Sequence, residues 1–224
     1  FDPDHVRPED VGRLDFMRGE EAQMAGVIHM GVVELPATVA ILSSHTKFIP
    51  INQHGQILGS VTTLSGQLYE AIQAQTFIGK STRPEDESTT DQRDDFFDEA
   101  VVANARRWIQ DAGISRTLLM TRFLDVLMHR PWYERRLFVQ SAIAAEDLTA
   151  FSQVKEITGQ GGEGTLLLVG ERLRTRIYRA LLGPEGAGMA VSALTDPARI
   201  DSLAIHGLLA VARAAALIPP GGAS

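Results

Sequence analysis

The chain has 224 residues, 44% of them hydrophobic, and a formal net charge of −7, which suits a soluble globular core of one domain or one and a half. An acidic sequence, with a pI of about 5.4 and no cluster of Lys or Arg, lacks the electrostatic footprint that nucleic acid or an anionic membrane requires. Cysteine is absent, which excludes disulfides, thiolate metal sites and cysteine nucleophiles together and fits a reducing cytoplasm. No apolar run reaches the ~18 residues that span a bilayer, and the start carries no charged-then-apolar signal pattern. Beginning at Phe1 rather than at a methionine, the chain is expected to follow further sequence.

Residues 1–15, with Pro3 and Pro8, read as a polar loop. Met24, Val27 and Ile28 then give helical spacing between Gly19 and about Gly31, with Glu20 and Glu21 in the first turn, where exposed amides favour negative charge. Three β-rich runs follow: Thr38–Leu42, Lys47–Gln53 and, after a His54-Gly55 turn, Gln56–Leu64. Ser65 is expected to cap a helix running to Ile78. Residues 79–95 are charged and read as a surface excursion.

Phe97, Val101, Ala105, Trp108 and Ala112 recur at three- and four-residue steps up to Gly113, the pattern of an amphipathic helix. Helices are expected over 115–129 and 133–157, broken near Pro131. A buried-type strand at Thr165–Val169, a helix stopped by Gly183-Pro184, a strand at Met189–Leu194 and a helix capped by Asp196-Pro197 complete the chain. The order over residues 37–217 is βββα, helical insertion, βαβα, that of a ribonuclease-H-like lobe.

Two segments carry candidate chemistry. Phe16-Met17-Arg18-Gly19-Glu20-Glu21-Ala22-Gln23 sets an Arg and two carboxylates at a helix mouth. A carboxylate there can take a proton from a sugar hydroxyl, and an Arg can hold a carboxylate or phosphate through two hydrogen bonds. On residue types alone, an ordinary solvated helix start has the same appearance. Ser43-Ser44-His45-Thr46-Lys47 is a hydroxyl-rich turn between strands. It offers amides, hydroxyls and a Lys to an anion such as a nucleotide phosphate, although a plain polar hairpin has this composition too.

His5, His29, His54, His129 and His206 show no paired metal-ligand spacing. The Gly-rich stretch 159–164 precedes a strand and fits neither a Walker nor a dinucleotide loop; it reads as a flexible connection. His129–Tyr133 reads as an interhelical corner.

Taken in order, Met17-Arg18-Gly19-Glu20-Glu21 with Gln23, then Ser44-His45-Thr46-Lys47-Phe48, resemble the signature of the 2-dehydro-3-deoxygalactonokinases. So do Gly55, Thr62 and Ser65-Gly66-Gln67-Leu68-Tyr69, and later Leu168-Val169-Gly170 with Leu173, Tyr178 and Ala180-Leu181. The resemblance covers residues 15–79 and parts of 165–182. It implies an α/β, actin/hexokinase-type ATPase lobe. Residues 1–30 would form an inter-lobe segment with the active-site helix. Residues 31–224 would form the C-terminal lobe, with a helical insertion at about 91–157 and the N-terminal lobe missing.

The implied activity is transfer of the γ-phosphoryl group of ATP, with Mg2+, to the 6-hydroxyl of 2-dehydro-3-deoxy-D-galactonate. In that scheme Glu20 is the catalytic base and Arg18 orients substrate or transferred phosphate. Glu21 and Gln23 join Arg18 at the substrate, Ser43, Ser44, His45, Thr46 and Lys47 bind phosphate, and Gly170 and Glu171 lie by the adenine or ribose. No metal ligand from the protein is identified. The partners implied are a sugar acid and ATP, with no nucleic acid or membrane and with a homodimer left open, in the cytoplasm.

The sequence departs from this family at three places. Ser43 stands where the family has glycine, Ala150–Gly164 replaces a Gly-Leu-rich segment, and no Asp-x-Gly-Thr phosphate loop precedes the first helix. A single lobe supplies half a cleft, so this chain alone is not expected to turn over. The alternative reading is a non-catalytic binding relative or an assembly subunit.

Overall fold

The computed structural model describes residues 7–84, 93, 95–158, 164–185 and 189–219. The charged run over 85–92 and the Gly-rich stretch 159–163 lie outside the described residues. Pro8–Arg13, expected to be loop, is a short 3-10 helix with Pro8 at its first position, where the fixed φ suits a helix start.

A five-stranded sheet organises the molecule. Its strands are β1 (Ala37–Leu42), β2 (Thr46–Ile51), β3 (Val61–Thr63), β4 (Thr165–Gly170) and β5 (Ala190–Leu194), in the order β3-β2-β1-β4-β5. β1, β2 and β3 form an antiparallel meander, while β4 runs parallel to β1 and β5 parallel to β4. The third strand is shorter than its alternating sequence suggests. Residue Ile57 makes only an isolated bridge to Ile51, and pairing resumes at Val61.

The two-residue period of the strands divides the core. Val39 and Ile41 of β1, with Leu167 and Val169 of β4, face α1 (Glu20–His29) and α7 (Pro197–Ala214). Ala40, Leu42, Leu166 and Leu168 face the other way, toward α5 (Trp132–Thr158) and α6 (Arg172–Glu185). Both faces of the sheet are covered, as the unbroken apolar runs of β1 and β4 require. Met24 and Val27 of α1 are fully buried, each contributing about 1.5–3 kcal/mol on leaving water.

Between β3 and β4 lie α2 (Ser65–Gln75), α3 (Phe77–Ser81), α4 (Glu99–Val126) and α5. The helix expected from Ser65 to Ile78 is two helices, because Thr76 is extended at φ −123° and ψ 159°. α4 is two helical stretches joined across a kink at Gly113, whose φ of 70° and ψ of 169° are non-helical and suit glycine, so the first stretch ends where the sequence places its end. Asp196 caps α7 by accepting from the Arg199 amide at 2.8 Å, with Pro197 in the first turn. Ser65 does not cap α2; its hydroxyl is drawn inward to Asp147 of α5 at 2.5 Å.

Candidate active site

Strands β1 and β4 are parallel neighbours, and Leu42 and Gly170 are register partners at their carboxyl ends. The chain leaves β1 through the turn Ser43–His45 and leaves β4 through Gly170-Glu171 into α6. Two adjacent parallel strands thus discharge their connections at one edge, the usual place for a ligand in an open α/β sheet. The approach is close: a Cβ on Gly170 would stand 2.7 Å from the Leu42 carbonyl oxygen.

The mouth of α1 comes to the same edge. Gly19, at φ 106°, reverses the chain there. The following two carboxylates fold back on the backbone, Glu20 accepting from the Arg18 amide and Glu21 from the Gly19 amide, both at 2.8 Å. Lys47, 5% exposed, ties this mouth to the sheet. Its ammonium donates to the Phe16 carbonyl and the Thr62 hydroxyl at 2.8 Å each and lies 3.9 Å from Glu20 Oε1. Thr62 in turn donates to the Asp15 carboxylate at 2.8 and 2.9 Å.

Two hollows open on this edge. The larger, about 420 Å³, is walled by Arg18, Gly19, Glu20 and Gln23 on one side and by Ser43 and Gly170 on the other, over an apolar floor that includes Ile41 and Val169. The second, about 160 Å³, lies between α2, α5 and α6, with Ser43, Ser44, Glu171 and Arg174 along its rim and Ile143, Ala144 and Ile177 in its walls. Ser43 borders both. Gly170 borders the first and Glu171 the second, so the β4 exit straddles the pair in the same way.

The turn is preorganised. The Ser43 carbonyl accepts from Arg174, and the Ser44 carbonyl accepts from the Gln67 amide at 2.8 Å. Among the described residues the amides of Ser44 and His45 donate to no protein group, which leaves them as successive donors of the kind that make an anion-binding concavity. α2 packs hard under the turn, since a Cβ on Gly66 would lie 2.3 Å from the Ser43 oxygen.

Below the turn runs a chain of hydroxyls. Thr46 Oγ1 is 2.9 Å from the Tyr178 hydroxyl, which donates to the buried Asp147 carboxylate, and Ser65 donates to the other carboxylate oxygen. Burial, then the Asp147 charge, pushes the Tyr178 phenol far above its ordinary value. Burial likewise raises Tyr69 in the wall of the smaller hollow, against the pull of Arg136.

The expected site residues therefore separate. Arg18, Glu20, Gln23, Ser43 and Gly170 meet at the larger hollow, and Ser43, Ser44 and Glu171 at the smaller. Glu21, His45, Thr46 and Lys47 line neither; Thr46 and Lys47 point their side chains inward, into the hydroxyl chain and the α1 tie. Arg174 and Asp147 escape a motif reading. Asp147 had one signal, a carboxylate on the stripe of α5 shared with the buried Ala144 and Phe151. Among the described residues no cluster of three or more His, Asp or Glu is placed to hold a metal, and no helix is long and apolar enough to cross a membrane.

The model of the 2-keto-3-deoxy-galactonokinase family matches residues 6–211. The chain belongs to this family. A crystal structure of a Sinorhizobium meliloti protein named as a 2-dehydro-3-deoxygalactonokinase superposes with a TM-score of 0.66 at 23% identity, covering 90% of this chain and 61% of that one. The chain thus spans about three-fifths of that relative's length. The shared fold is the actin/hexokinase-type lobe. An activator of 2-hydroxyisocaproyl-CoA dehydratase from Clostridium difficile, with bound ADPNP, superposes at a TM-score of 0.49 and 12% identity, over 92% of this chain and 72% of that one. No curated protein is matched.

Proposed function

We propose that this chain is the C-terminal lobe of an ATP-dependent kinase that phosphorylates the 6-hydroxyl of 2-dehydro-3-deoxy-D-galactonate. Residues 1–30 would lead into it from the other lobe. The observation that carries the reading is Ser43, which borders both hollows. A nucleotide whose base lies in the smaller hollow, beside Glu171, runs its phosphates over the free amides of Ser44 and His45. Its γ-phosphoryl then reaches the larger hollow, where Arg18, Glu20 and Gln23 receive the sugar acid.

Arg18 is suited to hold the acid's carboxylate or the transferred group by a two-pronged contact. Glu20, positioned by the Arg18 amide and by Lys47, takes the proton from the hydroxyl as its oxygen bonds to the γ-phosphorus. The bond from that phosphorus to the β-γ bridging oxygen breaks, and ADP departs. Positioning and charge neutralisation supply most of the catalysis in such transfers. Mg2+ prefers hard oxygen donors, and the Ser43 hydroxyl at the shared rim, with the nucleotide's own phosphates, fits it; when bound, the ion neutralises phosphate charge. One lobe leaves the cleft open to water, so turnover calls for the partner lobe.

The test is a coupled ADP-release assay on the full-length gene product with a panel of 2-keto-3-deoxy sugar acids. Release that depends on a six-carbon acid with a free 6-hydroxyl is the expected result. Nucleotide binding with no acid-dependent release from any member would leave a binding module instead.

A further inference from the structure

The phosphate turn lacks the residue that such turns ordinarily use. Glycine lets a backbone approach phosphate closely, whereas this turn begins with Ser43. A cation beside the turn would add to what its amides offer, and Lys47 does not supply one, because its ammonium is buried against Phe16, Thr62 and Glu20. Arg174 stands at the right place. It borders the smaller hollow beside Ser43 and Ser44, donates to the Ser43 carbonyl through one terminal nitrogen and to Thr46 Oγ1 at 2.8 Å through the other.

Three properties make this guanidinium an anion site. It has no carboxylate in ion-pair contact among the described residues, so its charge is not spent on a neighbour. A guanidinium has five N–H groups; two are engaged here, which leaves three for a ligand. Its orientation is also fixed from below. Tyr178 donates to the carboxylate of Asp147, 2% exposed. The Tyr178 oxygen must then receive the Thr46 proton, and the Thr46 oxygen must receive the Arg174 N–H. Every proton in the chain has one direction. The Ser43 carbonyl, which would repel a phosphate, is meanwhile covered by the same guanidinium.

We propose that Arg174 is the cation that binds the nucleotide's polyphosphate at this turn, held in register by Thr46, Tyr178 and Asp147. The proposal rests on the nucleotide reading above. Its ligand is a polyphosphate rather than the sugar acid's carboxylate, because Arg174 borders the hollow opposite Arg18. Asp147 and Tyr178 are positioning residues; they act through Arg174.

The experiment measures binding of inorganic tripolyphosphate, ADP, adenosine and a 2-keto-3-deoxy sugar acid to the full-length protein by calorimetry. Arg174→Gln is expected to weaken tripolyphosphate and ADP by about tenfold or more, the scale of a charge-assisted hydrogen bond, and to leave adenosine and the sugar acid within about twofold. Arg174→Lys, which keeps the charge but not the fork, is expected to recover part of the loss. Tyr178→Phe is expected to lower tripolyphosphate affinity while sparing adenosine. Tripolyphosphate affinity unchanged in both Arg174 variants would overturn the proposal and leave the nucleotide reading standing. Equal losses for adenosine and tripolyphosphate would also overturn it, since that is general damage to the lobe. If the unaltered protein binds neither ADP nor tripolyphosphate, the nucleotide reading itself falls, and Arg174 with it.

Discussion

Gly207 of α7 lies so close to α1 that a Cβ there would stand 1.8 Å from the Ala22 carbonyl oxygen. The reverse contact is nearly as tight, with a Cβ on Gly26 falling 2.0 Å from the Leu203 oxygen. The two helices cross through these glycines, and the crossing sets how far the Glu20 mouth stands from the Ser43 turn. Gly207→Ala must push α1 away. We expect it to cost about 1–3 kcal/mol, as overpacking does, and to lower turnover of the complete enzyme with nucleotide affinity retained. Thermal melts and ADP titration on one preparation check both halves.

Glu20→Gln keeps the side chain's size and removes its capacity to accept a proton. Turnover should fall by about 10²–10⁴-fold, the usual contribution of a general base, while ADP affinity changes little. Steady-state rates with calorimetry decide this, and unchanged turnover would take Glu20 out of the base role.

Lys47 offers a split between two roles. As a phosphate ligand its loss would raise the KM for ATP; as the tie between β2 and the α1 mouth its loss would lower kcat. The buried position favours the second. Lys47→Met is expected to reduce kcat about tenfold with the KM for ATP near normal. It should also destabilise the protein by about 1–3 kcal/mol, because the Phe16 carbonyl and Thr62 lose their donor.

Tyr178 gives a pH dependence with a definite sign. Burial, reinforced by Asp147, raises its phenol well above 10 in the folded chain. Above the ordinary value the unfolded chain loses that proton while the folded chain keeps it, so stability is whole below about pH 10 and is lost as pH rises further. Melting temperatures between pH 9 and 11 should fall more steeply for the unaltered protein than for Tyr178→Phe. Parallel curves would show that the phenol is not held this way.

Much was legible in residue order. The apolar runs of β1 and β4, the Asp196-Pro197 cap and the βββα–insertion–βαβα sequence all follow from local preferences, which act over a few neighbouring residues. Arg18, Glu20, Ser43 and Gly170 were identified as candidates by residue type and resemblance, without any knowledge that Leu42 and Gly170 are partners across the sheet. The inward turn of Ser65 went unread because Asp147, 82 residues further along, draws its hydroxyl in, and the break at Thr76 because Gly79 packs back onto the Gln73 backbone.

By itself the sequence determined most of the strand and helix segments, though not their exact bounds, and which few residues carry hydroxyl, carboxylate or guanidinium groups near the strand ends. Only the tertiary structure decided which of those groups face a ligand. Lys47 and Thr46 are close in sequence to Ser43 yet point into the protein, and Arg174, 131 residues away along the chain, reaches the turn. Side chains alternate across a strand and a helix can bring a distant residue over its end, so the direction of a polar group depends on packing that no local stretch encodes.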